Sequence, residues 1–251
     1  MTKVAVYQAP LLPSGSIAAI GLIRKRVAWC EGKGVEFLCC PEAVLGGLAD
    51  YAASPADFAI RVENGQLSAA LAPLASDRVT TILGFTEISG TGQLFNSAAI
   101  FHQGAVIGVY RKLHPAIRKS IYHAGDCMPV FTIGCLTFGV IICNDSNYAA
   151  PARSAAAKGA TALFVPTNNA LPAGKADVVN DARNVDVVRA RENRLAMIRA
   201  DVAGHTADLV SYGSSSIVDS SGRVLQSSQR FHEELLVADL DTTAAGPERD
   251  P

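Results

Sequence analysis

Short apolar runs alternate along the chain with stretches whose apolar residues recur every three or four positions. Residues 3–7 are rich in valine and predict a buried strand, whereas residues 16–32 have the periodicity of an amphipathic helix. The further predicted strands are residues 35–40, 80–86, 94–101, 105–111, 138–143, 162–165, 196–202, 209–218 and 235–240. The further predicted helices are residues 66–76, 152–159 and 177–194.

Turn signals join several of these strands into hairpins. Gln103-Gly104 separates two predicted strands, and Ser220-Ser221-Gly222 follows the strand that ends at Val218. Hairpins combined with β-α-β units predict a mixed sheet covered by helices, which is an α/β fold. Because no linker divides the chain, we expect residues 1–241 to form a single domain and residues 242–251 to form a polar C-terminal tail.

Composition and charge narrow the classes of function. The sequence is 49% hydrophobic and 18% charged, which is typical of a globular protein. A formal net charge of −1 lacks the basic excess that nucleic acid or an anionic membrane favours. We find neither a long apolar span nor a signal-peptide pattern, so we expect no membrane partner and a cytoplasmic location. None of the six cysteines forms a Cys-x-x-Cys pair, and most lie in apolar runs, which predicts reduced and buried thiols.

Three reactive side chains stand where apolar runs give way to loops. Glu42 follows Pro41, Lys112 follows residues 106–111, and Cys143 ends residues 138–143. Sites in α/β folds gather beyond strand ends, so these three side chains can converge. A carboxylate can take and return the thiol proton, and an ammonium can stabilise an anionic oxygen. The set therefore suits acyl transfer through a thioester, although each residue alone is more often a buried thiol or a surface charge.

These residues also carry a resemblance to a known family. The chain resembles the nitrilase superfamily of carbon–nitrogen hydrolases, from its first strand to about Val218. The motifs that carry this resemblance are Ala5-Val-Tyr-Gln8, Pro41-Glu42 with Gly46-Gly47, Phe95-Asn-Ser97, Tyr110-Arg-Lys-Leu-His114, Gly139-Val-Ile-Ile-Cys143, Arg189-Ala-Arg-Glu-Asn193 and Gly213-Ser-Ser-Ser-Ile-Val-Asp219. The resemblance implies an αββα sandwich with mixed sheets, commonly paired into homodimers as a four-layer αββααββα body. It implies no cofactor, with Glu42 as general base, Lys112 as stabiliser of the tetrahedral intermediate and Cys143 as nucleophile.

One departure from the family pattern concerns a second glutamate, which most members carry between the lysine and the cysteine. Residues 112–125 contain no acid, and the expected position falls near Arg118 to Ser120. Asp126, His114 and His123 are the candidate substitutes, although each also fits the role of an ordinary loop residue.

A second departure follows the cysteine. Cys143-Asn-Asp is similar to N-carbamoyl-D-amino-acid amidohydrolases, but Ser146 and Asn147 replace the arginines that follow there. Those arginines would hold a substrate carboxylate, so a small or uncharged amide is at least as well supported.

We therefore expect hydrolysis of a non-peptide C–N bond in a small linear amide or N-carbamoyl compound. Asn144, Tyr148 and Asn168 are the candidate substrate-binding residues, since they lie in loops near the predicted strand ends. Two alternatives remain open, namely a nitrilase and a degenerate member that binds a metabolite or partner with little turnover. The expected partners are the small-molecule substrate and a second copy of the chain, in a homodimer or higher homo-oligomer.

Overall fold

The computed structural model describes residues 1–116, 120–172 and 179–241. Within these ranges the chain forms a mixed α/β sandwich, which confirms the predicted fold class. The predicted C-terminal tail, residues 242–251, lies outside the described residues. Among the helices of the described ranges, none has both the length and the apolar character needed to cross a bilayer.

The element bounds are as follows. The strands are β1 (Thr2–Pro10), β2 (Phe37–Cys39), β3 (Thr80–Ile88), β4 (Leu94–His102), β5 (Ala105–Arg111), β6 (Tyr122–His123), β7 (Val130–Ile133), β8 (Leu136–Val140), β9 (Ala162–Pro166), β10 (Ala196–Ala200), β11 (Val202–His205), β12 (Val210–Ser211), β13 (Ser216–Val218), β14 (Val224–Ser227) and β15 (Glu234–Leu240). The α-helices are α1 (Ala18–Lys33), α2 (Gln66–Leu71), α3 (Ala149–Ala157) and α4 (Val179–Asn193).

The strands form two mixed sheets. The first has the order β12-β11-β1-β2-β3-β4-β5, with β15 also paired to β1 and β6 to β4. Its β1, β2 and β3 are parallel, whereas β3, β4 and β5 are antiparallel. The β4–β5 hairpin is the one predicted from Gln103-Gly104. The second sheet has the order β14-β13-β10-β9-β8-β7, with a parallel centre formed by β8, β9 and β10. Each sheet thus combines a parallel centre with antiparallel strands.

Side chains alternate between the two faces of each strand, so the first sheet has one apolar layer on each face. On β1, Val4 and Val6 face the second sheet, whereas Ala5 and Tyr7 pack in the cluster that includes Ile23 of α1. The layer between the sheets contains an aromatic cluster of Phe37, Phe138 and Phe164, with ring centroids 5.1 to 5.7 Å apart. This shared apolar layer holds the two sheets face to face, so their loops meet at one end.

Two predicted strands are each divided between the sheets. Residues 196–202 form β10 in the second sheet and β11 in the first, with the chain crossing at Asp201. Residues 209–218 likewise contribute β12 to the first sheet and β13 to the second. The second division occurs around Gly213, whose φ of 81° suits glycine, and a Cβ there would lie 2.5 Å from Oε1 of Gln8. The prediction of two continuous strands was therefore wrong.

Other differences are local. The prediction omitted β7, which pairs with β8 as a hairpin, and it extended β8 to Cys143 although the strand ends at Val140. Cys127 and Cys135 are exposed, so the expectation of buried thiols was wrong for these two cysteines. Cys127 precedes β7 and Cys135 lies in the turn between β7 and β8, where the chain is at the surface.

Gly84 shows why glycine is required on one central strand. It lies on β3 directly beneath the turn that carries Glu42, and its N–H donates to the carbonyl of Pro41 at 3.0 Å. A Cβ at Gly84 would lie 2.3 Å from the backbone nitrogen of Ala43 and 2.5 Å from Cα of Glu42. No side chain fits there unless the backbone of that turn moves.

We predict that Gly84→Ala lowers the free energy of unfolding by about 1–3 kcal/mol, because the new methyl group overpacks fixed backbone atoms. The same displacement moves Glu42, so turnover falls as well. Urea unfolding monitored by circular dichroism measures the first effect. Gly90→Ala is the control, because a Cβ there meets nothing within 4 Å. Equal stability of the two variants would contradict the close approach at Gly84.

Candidate active site

Cys143 lies in a sharp turn that follows β8 of the second sheet. It begins a short 3-10 helix, Cys143–Asn147, with φ of 44°, a left-handed conformation that is uncommon for residues other than glycine. The buried carboxylate of Asp145 stabilises this turn by accepting hydrogen bonds from the backbone N–H groups of Ile142 at 3.0 Å and His114 at 2.7 Å. It also accepts from the hydroxyl of Tyr110 at 2.7 Å. Asp145 therefore ties the cysteine turn to the loop that follows Lys112.

A buried ion pair holds the same turn from the other side. The guanidinium of Arg199 contacts Asp186 at 2.6 Å and donates to Oγ of Ser146 at 2.9 Å. Ser146 in turn donates to the carbonyl of Cys143 at 2.8 Å. Burial alone lowers the pKa of Arg199, but the Asp186 carboxylate outweighs this effect and the net pKa is raised. A permanently charged group thus fixes the backbone of the cysteine.

Glu42 and Lys112 form a second buried ion pair at the ends of strands in the first sheet. Nζ of Lys112 lies 2.5 Å from Oε1 of Glu42, and the two residues are 3% and 1% exposed. Asn96 donates to Oε1 at 2.7 Å, and the backbone N–H of Asn168 donates to Oε2 at 2.8 Å. Burial alone lowers the pKa of Lys112, yet the nearby Glu42 carboxylate raises it overall. Lys112 therefore stays charged at neutral pH.

Glu42, Lys112 and Cys143 line one cavity of about 50 Å³. The structure therefore brings together the three side chains that the sequence placed at separate strand ends. The remaining lining residues are mostly apolar or aromatic: Leu48, Tyr51, Pro115, Ala116, Tyr122, Ala170 and Leu171. The other polar lining residues are Asp50, Asn96 and Asn168.

The three candidate substrate-binding residues are not grouped together. Asn168 lines the cavity, and its Nδ2 donates to the carbonyl of Glu42 at 3.3 Å. Asn144 instead donates to the carbonyl of His114 at 3.1 Å. Tyr148 is 46% exposed and stacks on His114 with centroids 3.8 Å apart. Asn144 and Tyr148 do not belong to the lining of this cavity, so contact with substrate there is supported for Asn168 alone.

The second acid of the cavity is a residue that sequence reasoning missed. None of Asp126, His114 and His123 lines the cavity, whereas Asp50 does. Asp50 accepts hydrogen bonds from Oγ of Ser120 at 3.0 Å and from the N–H of Ile121 at 2.9 Å. Its only signal in the sequence was its place in the loop after Gly46-Gly47. Of the three positions near which the second glutamate was expected, residues 118 and 119 lie outside the described residues.

The thiol of Cys143 is held in its protonated form. Burial and, to a smaller extent, the Glu42 carboxylate raise the pKa of Cys143 to about 12, although the Lys112 ammonium opposes the rise. A neutral thiol beside a carboxylate requires that carboxylate to accept the proton when sulfur attacks. The charged ammonium of Lys112 is available to an oxygen that becomes anionic in the same cavity. The arrangement can therefore support nucleophilic attack on a carbonyl or nitrile carbon.

This fold and this grouping of residues suit the hydrolysis of a carbon–nitrogen bond. The chain belongs to the nitrilase superfamily, because the family model for carbon–nitrogen hydrolases matches residues 3–249. A nitrilase from Pyrococcus abyssi is 30% identical over 187 residues, which cover 74% of this chain and 68% of that protein. The membership confirms the resemblance seen in the sequence motifs.

Other relatives differ in the reactions that their names describe. The glutamine-dependent NAD(+) synthetase of Thermotoga maritima is 28% identical over 223 residues, which cover 84% of this chain but 37% of that protein. The crystal structure of an amidase from Nesterenkonia sp. has a TM-score of 0.82 at 24% identity, covering 96% of this chain and 90% of that chain. That likeness confirms the αββα fold.

We predict that Glu42→Gln speeds alkylation of Cys143 by iodoacetamide at pH 8 while it abolishes turnover. Removing the carboxylate removes a charge that raises the thiol pKa, and Lys112 remains to stabilise the thiolate. Each unit by which the pKa falls increases the thiolate fraction about tenfold. Mass spectrometry of the Cys143 peptide over pH 6 to 10 measures the rate, with exposed Cys135 as an internal reference. Slower alkylation in the variant would contradict the electrostatic assignment.

Proposed function

We propose that the enzyme hydrolyses small linear amides through a thioester on Cys143. The observation that carries this proposal is the buried Glu42–Lys112 pair in the same cavity as the Cys143 thiol. These three groups supply a nucleophile, a proton acceptor and a cation for the oxyanion, which acyl transfer from an amide requires. This proposal gives each of the three residues a catalytic role.

In the first half-reaction, Sγ of Cys143 attacks the amide carbon as Glu42 accepts the thiol proton. The C–S bond forms, and the carbonyl π electrons move to oxygen, where the ammonium of Lys112 stabilises the negative charge. When the oxyanion collapses, the C–N bond breaks and Glu42 delivers its proton to the leaving nitrogen. The products of this step are a thioester and ammonia or an amine.

In the second half-reaction, Glu42 accepts a proton from a water molecule that attacks the thioester. Lys112 again stabilises the tetrahedral oxyanion, and its collapse breaks the C–S bond to release a carboxylic acid. The proton returns from Glu42 to the departing sulfur, which restores the thiol. Hydrogen bonds from Asn96 and Asn168 keep the Glu42 carboxylate in place through both halves.

The size and charge of the cavity favour small neutral substrates. A volume of about 50 Å³ corresponds to roughly three or four water positions, which suits an amide with a short acyl chain. Asp50 adds a carboxylate to the wall, so an anionic N-carbamoyl amino acid meets a like charge there. Leu48 and Leu171 supply apolar surface for the acyl chain.

Nitrile hydrolysis is the second candidate function, motivated by the match to the Pyrococcus abyssi nitrilase. The same sulfur can attack a nitrile carbon, and the same pair can transfer the protons. Pairing of two chains into a homodimer and a cytoplasmic location stay predictions from the family pattern and the sequence.

We predict that ammonia is released from small amides such as acetamide and propionamide, and that Cys143→Ala lowers the rate at least about 10³-fold, because the nucleophile is removed. A coupled ammonia assay measures the rate. Cys135→Ala is the matched control, since that exposed cysteine lies on the β7–β8 hairpin away from the cavity. Full activity in Cys143→Ala would exclude the thioester route.

The same ammonia assay is carried out with the nitriles that correspond to these amides and with N-carbamoyl amino acids. Faster ammonia release from acetonitrile or propionitrile than from the corresponding amides would make nitrile hydrolysis the preferred function. Failure of every compound to turn over, with a folded protein, would favour the degenerate metabolite-binding alternative.

A further inference from the structure

Asn169 contacts the nucleophile, although neither the sequence motifs nor the proposed reaction assigns it a role. Its Oδ1 lies 3.6 Å from Sγ of Cys143, within hydrogen-bond distance of a thiol donor. The other end of the same amide is doubly held. Nδ2 donates to Oδ2 of Asp201 at 3.0 Å and to Oγ of Ser214 at 3.1 Å. These two acceptors fix the orientation of the amide, so its oxygen faces the sulfur.

Asp201 is a fully buried carboxylate at the point where the chain crosses from β10 to β11. Its Oδ1 accepts hydrogen bonds from the backbone N–H groups of Asn169 at 3.0 Å and Val202 at 2.8 Å. Its Oδ2 accepts from the N–H of Ser214 at 3.0 Å and from the Ser214 hydroxyl at 2.7 Å. Burial of a carboxylate is unfavourable for folding even when the carboxylate accepts hydrogen bonds in this way. The position of Asp201 next to the active-site turn therefore suggests a role in the site.

The charge of Asp201 fixes the orientation of the Asn169 side-chain amide. A carboxylate only accepts hydrogen bonds, so the NH₂ end of Asn169 must turn towards Asp201 and the carbonyl end towards Cys143. A neutral amide at position 201 can both donate and accept, which removes this restriction. The two residues also come from different places in the fold, the loop after β9 and the crossing between the sheets. Their contact is therefore a product of tertiary structure.

We propose that Asn169, oriented by Asp201, is a positioning residue that holds the Cys143 thiol in the resting enzyme by accepting a hydrogen bond from it. This inference rests on the proposed function, in which Cys143 is the nucleophile. An acceptor oxygen favours the protonated sulfur, so the thiol stays neutral until Glu42 accepts its proton. The hydrogen bond also restricts rotation of the cysteine side chain, which keeps Sγ at one place in the cavity.

Asn169→Ala tests the proposal through thiol titration. Loss of the acceptor lowers the pKa of Cys143, so iodoacetamide alkylation at pH 8 rises about 3- to 10-fold. With acetamide as substrate, kcat falls about 10- to 100-fold while KM changes little, because sulfur is less well placed. Asn193→Ala is the matched control, since that amide donates to the carbonyl of Arg189 and not to Cys143. We expect it to leave the titration and kcat unchanged.

A double-mutant cycle tests whether Asp201 acts through Asn169. Asp201→Asn lowers kcat in the wild-type background, but we expect it to lower kcat less than threefold in the Asn169→Ala background. Circular dichroism and urea unfolding establish that each variant is folded before its kinetics are compared.

Three outcomes would overturn the inference: an unchanged alkylation profile in Asn169→Ala, an unchanged kcat in that variant, or fully additive effects of the two substitutions on kcat. Any of these outcomes, together with an inactive Cys143→Ala, would reject the positioning role and leave the thioester route intact. Full activity of Cys143→Ala would instead reject the proposed function itself.

Discussion

The buried ion pair between Glu42 and Lys112 is the constraint on which the rest of the site depends. The two charges belong to residues that are at most 3% exposed and lie 2.5 Å apart, and removal of either would leave the other buried without a counter-charge. The hydrogen bonds from Asn96 and Asn168 offset part of the desolvation cost of the carboxylate. The pair as a whole is neutral, so the cavity can be small and largely apolar while it retains a proton acceptor and a cation.

The two-sheet architecture brings this pair to the nucleophile. Glu42 and Lys112 follow β2 and β5 of the first sheet, whereas Cys143 follows β8 of the second. The aromatic layer between the sheets fixes their separation, and the backbone N–H of Asn168 reaches across to Glu42 from the loop after β9. Each sheet therefore stabilises the half of the site that it carries. Contacts between the two sheets set the relative position of the two halves of the site. Asp145 and Ser146 keep the strained turn at Cys143 in place.

The site residues that could be predicted from the sequence are those that stand out in a local pattern of apolar and polar residues. Glu42, Lys112 and Cys143 were found because each ends an apolar run, and the family motifs give their order. Asn169 and Asp201 were missed because their roles depend on contacts across the fold. Asp201 lies inside residues 196–202, which have the pattern of one continuous strand, and only the crossing between sheets makes it a turn with a buried carboxylate. Asn144 follows the nucleophile directly and Tyr148 follows its 3-10 helix, yet neither residue lines the cavity.

A rapid-quench experiment detects an acyl group that is bonded to Cys143 during turnover. The enzyme is mixed with propionamide, quenched in acid within milliseconds, and analysed by intact-protein and peptide mass spectrometry. We expect a transient mass increase equal to one propionyl group in place of a hydrogen, confined to the peptide that contains Cys143. That adduct forms and decays at rates compatible with turnover. Turnover without any adduct on Cys143, or an adduct on a different residue, would contradict a thioester on Cys143.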